Sequence, residues 1–392
     1  MAQHEDILRL GEGRVQGAVQ DNRALLRVGG ISGFGRRGGA IAAHAAELAK
    51  AATGLFARSD APPVVLGALP FDPGAPGFLI APEEVHIVDA AAEDRPAAVA
   101  EPLQGTDLTF RESPSREAYA AHVAEALVAI AAGDLDKVVL ARALDVEGGE
   151  AFDIATLVGR LASDSSTVPY CLPLPGSNAT LVGASPELLV SRTGRNVLSH
   201  PLAGSARRRR DAVADRAAAA ALNGSLKDRH EHALVAEHVR DILAPFCRQL
   251  TPEIAPTLSA TPAMWHLGSR IEGELKDAHT PVLDLVAALH PTPAVCGSPT
   301  AAAASAISRL EPVPRGYYAG AVGWSDAQGD GAWHVAIRCA VVQGASARLF
   351  AGAGVVAGSD PAAEAEETAA KFGTLLAALG LSPRLLLQGR TG

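Results

Sequence analysis

Lysine is scarce in this chain. Of 34 basic residues in 392, only five are Lys, at positions 50, 137, 227, 276 and 371, and the rest are Arg. Arg meets the needs of surface charge, so a Lys inside an apolar run is there for what a guanidinium cannot do, which is to give up its proton. Basic charge as a whole is also short: 43 Asp and Glu leave a net charge of −9. The long-range field therefore has the wrong sign for nucleic acid or an anionic membrane, and an anionic ligand has to be held locally. The four cysteines, Cys171, Cys247, Cys296 and Cys339, stand far apart with no CxxC pair. They make neither a disulfide framework nor a thiolate metal site. No apolar run approaches the roughly 20 residues that cross a bilayer. The opening residues, MAQHEDILRLGEGR, put acids where a signal peptide needs basic residues and an apolar core. A soluble, cytoplasmic protein is expected, and since nothing demands an assembly, a monomer.

What the chain does have is apolar content, 48% against 20% charged, which excludes wholesale disorder. The first 110 residues are rich in Gly, Pro and Ala, with strand-like pieces at 24–28 and 63–66 and an Ala-rich helix expected over 40–52. From Ser115 the pattern sharpens. A Ser N-cap precedes Tyr119, Val123, Leu127 and Ile130 on one helical face, and Gly133 ends the run. DKVVLARALDVE follows as a strand. Further strands are predicted at 166–172, 179–183, 188–192, 319–324, 333–342 and 347–351. Helices are predicted at 154–162, 212–221, 226–243, 282–289, 300–310 and 363–379. Short turns between strands, such as 326–331, imply antiparallel pairing with helices outside. The class is α+β: one large unit over 106–392, with residues 1–105 packed on it.

Several side chains could carry chemistry. Asp228 and Glu231 are three apart, as are Glu364 and Glu367, so on helices each pair projects from one face. Four convergent oxygens suit Mg²⁺; taken singly, either pair reads as solvated helix surface. Lys137 opens an apolar strand, where it either snorkels to water or stays desolvated as a base. Glu187, in GASPELLV, is an ordinary turn residue or a poorly solvated acid with a raised pKa. Arg338 interrupts VAIRCAVV and needs an internal acid or an anionic ligand. Gly352 and Gly354 form a tight turn or expose N–H groups to an anion. Lys371, four residues after Glu367, suits a helix ion pair. Two motifs read as decoys. Gly33, Gly35 and Gly38 form a GxGxxG without a following βαβ alternation. Arg207 to Arg210 run directly into Asp211 and Asp215, a solvated helix start.

The order of the segments says more than any one of them. DKVVLARALDV, GASPELLV, PLAGSARRRR, KDRHEHALV, LHPTPAVCG, YYAGAVGW, VAIRCA, LFAGAGVV and EAEETAAK, over about residues 112 to 378, together resemble the chorismate-utilising enzymes. Among these the isochorismate synthases are most similar. The resemblance implies a single large chorismate-binding fold of antiparallel sheets wrapped by helices, a deep active-site cleft, Mg²⁺ as cofactor and chorismate as substrate.

It makes Glu231 and Glu367 direct metal ligands, with Asp228 and Glu364 supporting them through water. The family often carries Glu where Asp228 stands. Arg338, Lys371 and the backbone around Gly204, Ser205, Gly352 and Gly354 would hold substrate carboxylates. His290 is either a hydrogen-bonding support at the substrate or a satisfied structural histidine. Lys137 would be the base for water attack at C2 and Glu187 the acid for the departing 4-hydroxyl. Aminodeoxychorismate synthases carry a nucleophilic Lys in PIKGT where this chain has PLAGS. Salicylate synthases, which go on to expel pyruvate, tend to have Thr for Ala294 and Leu for Ile337, although Tyr318 occurs in them too. The implied activity is an isomerase, isochorismate synthase, with salicylate synthase as the alternative. In the family such a product supplies siderophore or menaquinone biosynthesis.

Overall fold

The computed structural model describes residues 25–34, 40–58, 60–87, 108–252 and 255–381. Two large sheets and one small one are built entirely from antiparallel ladders among these residues. The ten-stranded sheet is organised on two eleven-residue strands, Lys137–Glu147 and Ser346–Val356, paired in unbroken register from Lys137 opposite Val356 to Glu147 opposite Ser346. Runs of Val, Leu and Ala with small Gly between them let both faces of this pair be covered, which continuous apolar strands require. Cys339–Gln343, Thr180–Ser185 and Val168–Pro173 extend that sheet to Leu25–Val28, Ile31–Phe34 and Glu84–Ile87.

The nine-stranded sheet runs from Cys247–Leu250 through Ile271–Leu275, Asn196–His200, Leu188–Thr193, Gly331–Val335 and Ala321–Asp326 to Val64–Leu69, Gly77–Ile80 and Ile41–Ala43. Strands from the first 105 residues thus complete both large sheets. Leu202–Arg207, Met264–Gly268 and Thr257–Ala260 make the third. Helices cover the outside. Ser115 Oγ accepts from the Ala118 N–H at the start of the Arg116–Ala132 helix, and Gly133 at φ 82 closes it. None of the described helices is long and apolar enough to cross a membrane.

The helices at Ile154–Ala162, Leu226–Leu243, Val282–Leu289 and Thr300–Leu310 have the expected bounds. Two expectations need correction. Residues 40–52 are not one helix: Ile41–Ala43 pairs with the Gly77–Ile80 strand, and the α-helix begins at Leu48. Alanine content expresses propensity, and an available sheet edge overrides it. The run 333–342 is not one strand either. Gly331–Val335 belongs to the nine-stranded sheet and Cys339–Gln343 to the ten-stranded one, and the chain crosses between them at Arg338, whose φ is 53. A second crossover joins the same two sheets, from Thr180–Ser185 to Leu188–Thr193, with Glu187 in the gap. The dinucleotide motif also dissolves: Leu25–Val28 turns straight back into Ile31–Phe34, with Gly33 packed against Pro82. Gly35 and Gly38 lie outside the described residues.

Candidate active site

The two crossovers are hydrogen-bonded to each other. The Ala184 N–H donates to the Arg338 carbonyl (3.1 Å) and the Val335 N–H to the Glu187 carbonyl (3.1 Å). Where the chain leaves a ladder, a side chain is released from the alternation of buried faces and can point into the space between sheets. Here both released side chains are charged residues. They open on a cavity lined by Val139, Pro186, Glu187, residues 202–205, Glu231, His266, Ala294, Val295, Tyr318, Ile337, Arg338, residues 350–352, Gly354, Glu367 and Lys371.

Glu187 is 4% exposed. Burial pushes its carboxyl up to about 7, against the opposing pull of a long hydrogen bond from the Leu202 N–H (3.5 Å) and the charges of Lys137 and Lys371. Ser185 Oγ accepts from the Glu187 N–H (3.2 Å), which fixes the turn. Arg338 is equally buried, and its Nη2 donates to His266 Nε2 at 2.9 Å. Burial and the adjacent guanidinium hold the His266 ring far below its ordinary pKa, so the imidazole is the neutral acceptor this bond needs. No described acid lies within ion-pair distance of Arg338.

The four acids stand on two helices. Asp228 and Glu231 project from Leu226–Leu243, and Glu364 and Glu367 from Pro361–Ala378. Three of the chain's five lysines each meet one of the glutamates: Lys137 Nζ is 2.9 Å from Glu231, Lys227 Nζ 2.6 Å from Glu364, and Lys371 Nζ 2.7 Å from Glu367. Ser205 Oγ also donates to Glu367 (2.8 Å), and Lys371 to the Gly352 carbonyl (2.8 Å). Burial works against the Glu367 anion, but Lys371 and Ser205 more than offset it and its pKa is lowered. Asp228 and Glu364 are raised, first by burial and then by neighbouring acids, Glu231 and Glu367 for Asp228 and Glu367 for Glu364. The carboxylates thus feel one another across the helix pair. Among the described residues no three acid, histidine or cysteine side chains converge on one point. In kind, the donor set is all hard oxygen, with two carboxylates on the cavity and two behind, which fits Mg²⁺.

Twelve of the residues singled out from sequence line the cavity: Glu187, Gly204, Ser205, Glu231, Ala294, Tyr318, Ile337, Arg338, Gly352, Gly354, Glu367 and Lys371. Lys137, Asp228, His290 and Glu364 do not. Lys137 lies behind Glu231 with no exposure; it neither snorkels nor stands as a lone amine. His290, expected near substrate, bonds instead to the Pro70 carbonyl through Nε2 (2.8 Å) and supports the loop after Val64–Leu69. Gly352 and Gly354 are not in a turn. They sit mid-strand, where a methyl group at Gly352 would meet the Tyr318 hydroxyl and one at Gly354 would overlap Glu231. The sequence reading missed Lys227 and His266. Lys227 was visible in the lysine count and in its place beside Asp228; His266 carried no local signal, because its partner is 72 residues away.

Comparison with known proteins gives the same picture. A family model described as chorismate binding enzyme matches residues 84–380. Isochorismate synthase DhbC of Bacillus subtilis is 46% identical over 326 residues, covering 81% of each chain. Isochorismate synthase EntC of Escherichia coli K12 is 40% identical over 321 residues, 81% of this chain and 82% of that one. The crystal structure of a putative 2,3-dihydroxybenzoate-specific isochorismate synthase, DhbC of Bacillus anthracis, superposes with a TM-score of 0.85 at 38% identity, covering 96% of this chain and all of that one. With nine sequence segments, the sheet crossovers and these likenesses in agreement, the chain belongs to the chorismate-binding enzyme family.

Proposed function

We propose that the protein is an isochorismate synthase, a cytoplasmic isomerase that adds water at C2 of chorismate and releases the 4-hydroxyl as water while the ring double bonds shift. The observation that carries this reading is Glu187. It is a carboxyl on the cavity wall that burial pushes up to about 7, so it can keep a proton to donate near neutral pH, where an ordinary Glu would be ionised. The leaving hydroxyl requires that proton.

Lys137 is the base in this reading. It lies buried two residues before the cavity-lining Val139 and 2.9 Å from Glu231, and to take a proton from water it has to enter the step in its uncharged form. Water gives a proton to Lys137 as its oxygen joins C2, and Glu187 gives one to the departing hydroxyl, so the reaction is neutral overall. Arg338, with no described acid at ion-pair distance, is set to take a substrate carboxylate, and His266 holds its guanidinium in place. Glu231 and Glu367 would hold Mg²⁺, with Asp228 and Glu364 behind them; such an ion supplies positive charge against the ring carboxylate. The apolar wall of Val139, Ala294, Tyr318, Ile337 and Phe350 matches a cyclohexadiene ring. Four free, buried cysteines suit a reducing compartment.

The test is incubation with chorismate and Mg²⁺ followed by product identification. Isochorismate supports the reading. Salicylate with pyruvate moves it to salicylate synthase, and anthranilate formed with ammonia overturns the choice of nucleophile.

A further inference from the structure

The Lys137–Glu147 strand has the Ser346–Val356 strand along one edge for its whole length, but its other edge is covered in two pieces. Gly297–Ser298 pairs with Val138 and Lys137, and Thr109–Ser113 pairs with residues from Ala143 to Glu147. Between them the edge groups of Val139 and Ala141 have no strand to meet. The Val139 N–H reaches the Cys296 carbonyl (2.8 Å). Two side chains take the rest: Glu311 Oε1 accepts from the Ala141 N–H (2.8 Å), and Arg315 Nη2 donates to the Val139 carbonyl (2.6 Å). Arg315 Nε binds Glu311 Oε2 (2.8 Å), and its Nη1 reaches the Val295 carbonyl (2.7 Å). The two side chains are 3% and 7% exposed, and Phe71 covers the guanidinium face at 4.2 Å.

We infer that Arg315 and Glu311 are positioning residues, an ion pair that substitutes for the missing strand and locks two segments of the cavity wall together. The inference rests on the proposed function for its kinetic arm. Val139 and Val295 both line the cavity, and Lys137 precedes Val139 by two residues. A fold that needed only to bury apolar area at this edge would do so more cheaply without two charges, since a well-packed apolar replacement of a buried pair is often neutral or stabilising. What an apolar replacement cannot do is satisfy a carbonyl and an amide two residues apart on the same edge, together with a carbonyl of the adjoining loop. Arg, with a planar fork of five donors, can hold two carbonyls and a carboxylate at fixed angles; Lys cannot.

The test uses the full-length enzyme with Arg315→Lys and the milder Glu311→Gln, which keeps an acceptor for Ala141. Fold is checked by far-UV circular dichroism, and rates are expressed per folded molecule. We expect exchange of the Ala141 amide, and of segments 137–142 and 294–296, to quicken while the Asn196–His200 strand is unchanged. We expect kcat to fall about 100-fold for Arg315→Lys, the scale of a small misplacement of reacting groups, with KM within a few-fold. Glu311→Gln should move both readouts the same way by less. Wild-type kcat per folded molecule in both variants, even at a lowered Tm, would overturn the inference and leave the pair purely structural. Unaltered exchange at Ala141 would overturn it too. If the wild-type enzyme itself fails to turn over chorismate, the proposed function falls, and the exchange measurement still decides whether the pair holds the wall.

Discussion

Lys137 Nζ and Glu231 Oε1 stand 2.9 Å apart with their side chains 1% and 9% exposed, across a point on the Ser346–Val356 strand where the chain has no side chain. That point is Gly354. A methyl group built there would overlap the Glu231 carboxylate and come within 3.2 Å of Lys137 Cε. The strand opposite Lys137 is therefore shaped around the pair, and residues from three separate segments meet in one contact.

Gly354→Ala tests this. The added methyl must push Glu231 off Lys137 or strain the strand, and overpacking of this kind costs about 1–3 kcal/mol. We expect a measurable fall in Tm and loss of most turnover. A variant with wild-type kcat and wild-type Tm would show that the contact has room to spare.

Lys137→Ala removes one partner of a buried pair and leaves the Glu231 carboxylate uncompensated, a change that costs about 3–5 kcal/mol in comparable sites. Chorismate hydration should be abolished while Mg²⁺-dependent binding of chorismate, followed by calorimetry, persists. Normal turnover by this variant would remove Lys137 as the base.

Much of this site was legible in the chain because its residues interrupt patterns. Arg338 stands in an apolar run, Lys137 is one of five lysines, and the acids recur at helical spacing. The helix of 226–243 could be bounded because its N-cap, Ser225, and its periodicity are local. What could not be read was relational. The run 333–342 is apolar apart from His334 and Arg338, and an interrupting Arg does not by itself say that the chain changes sheet there; only the ladders on either side reveal it. Gly352 and Gly354 read as a tight turn or an anion-binding stretch of backbone because a glycine's usual use is conformational, whereas here each makes space for a distant side chain. His290 and His266 look alike in sequence, each a histidine beside apolar residues, yet one serves a backbone carbonyl and the other the cavity-lining Arg338.

Chelation bears on the metal reading. Lys137, Lys227 and Lys371 each stand within ion-pair distance of a glutamate, so these acids have partners within the chain and the fold is expected to persist without a divalent ion. We expect EDTA to abolish activity, Mg²⁺ to restore it, and circular dichroism to be unchanged throughout. Glu367→Ala should lose activity through weakened Mg²⁺ affinity, measured by titration calorimetry. Full activity after complete chelation would end the assignment of these carboxylates as metal ligands.

The pH dependence of Glu187 follows from its burial. Its carboxyl is raised from 4.5 to about 7, so the folded protein favours the protonated form that the unfolded chain has already lost. This contributes stability that is fully present below about pH 4.5 and disappears as pH rises through about 7, an effect on the order of 3 kcal/mol. Other acids titrate in the same window, so the comparison is with Glu187→Gln, which cannot ionise: its stability relative to wild type should rise between pH 4.5 and 7, read from urea unfolding at each pH. The same proton governs turnover. As the acid form is consumed, kcat/KM of the wild-type enzyme should decline above about pH 7, and in Glu187→Gln that alkaline limb should be absent at an activity about 10²- to 10⁴-fold lower. An unchanged pH profile in Glu187→Gln, or activity near wild type, would mean that some other group protonates the leaving hydroxyl and that the burial of Glu187 serves another purpose.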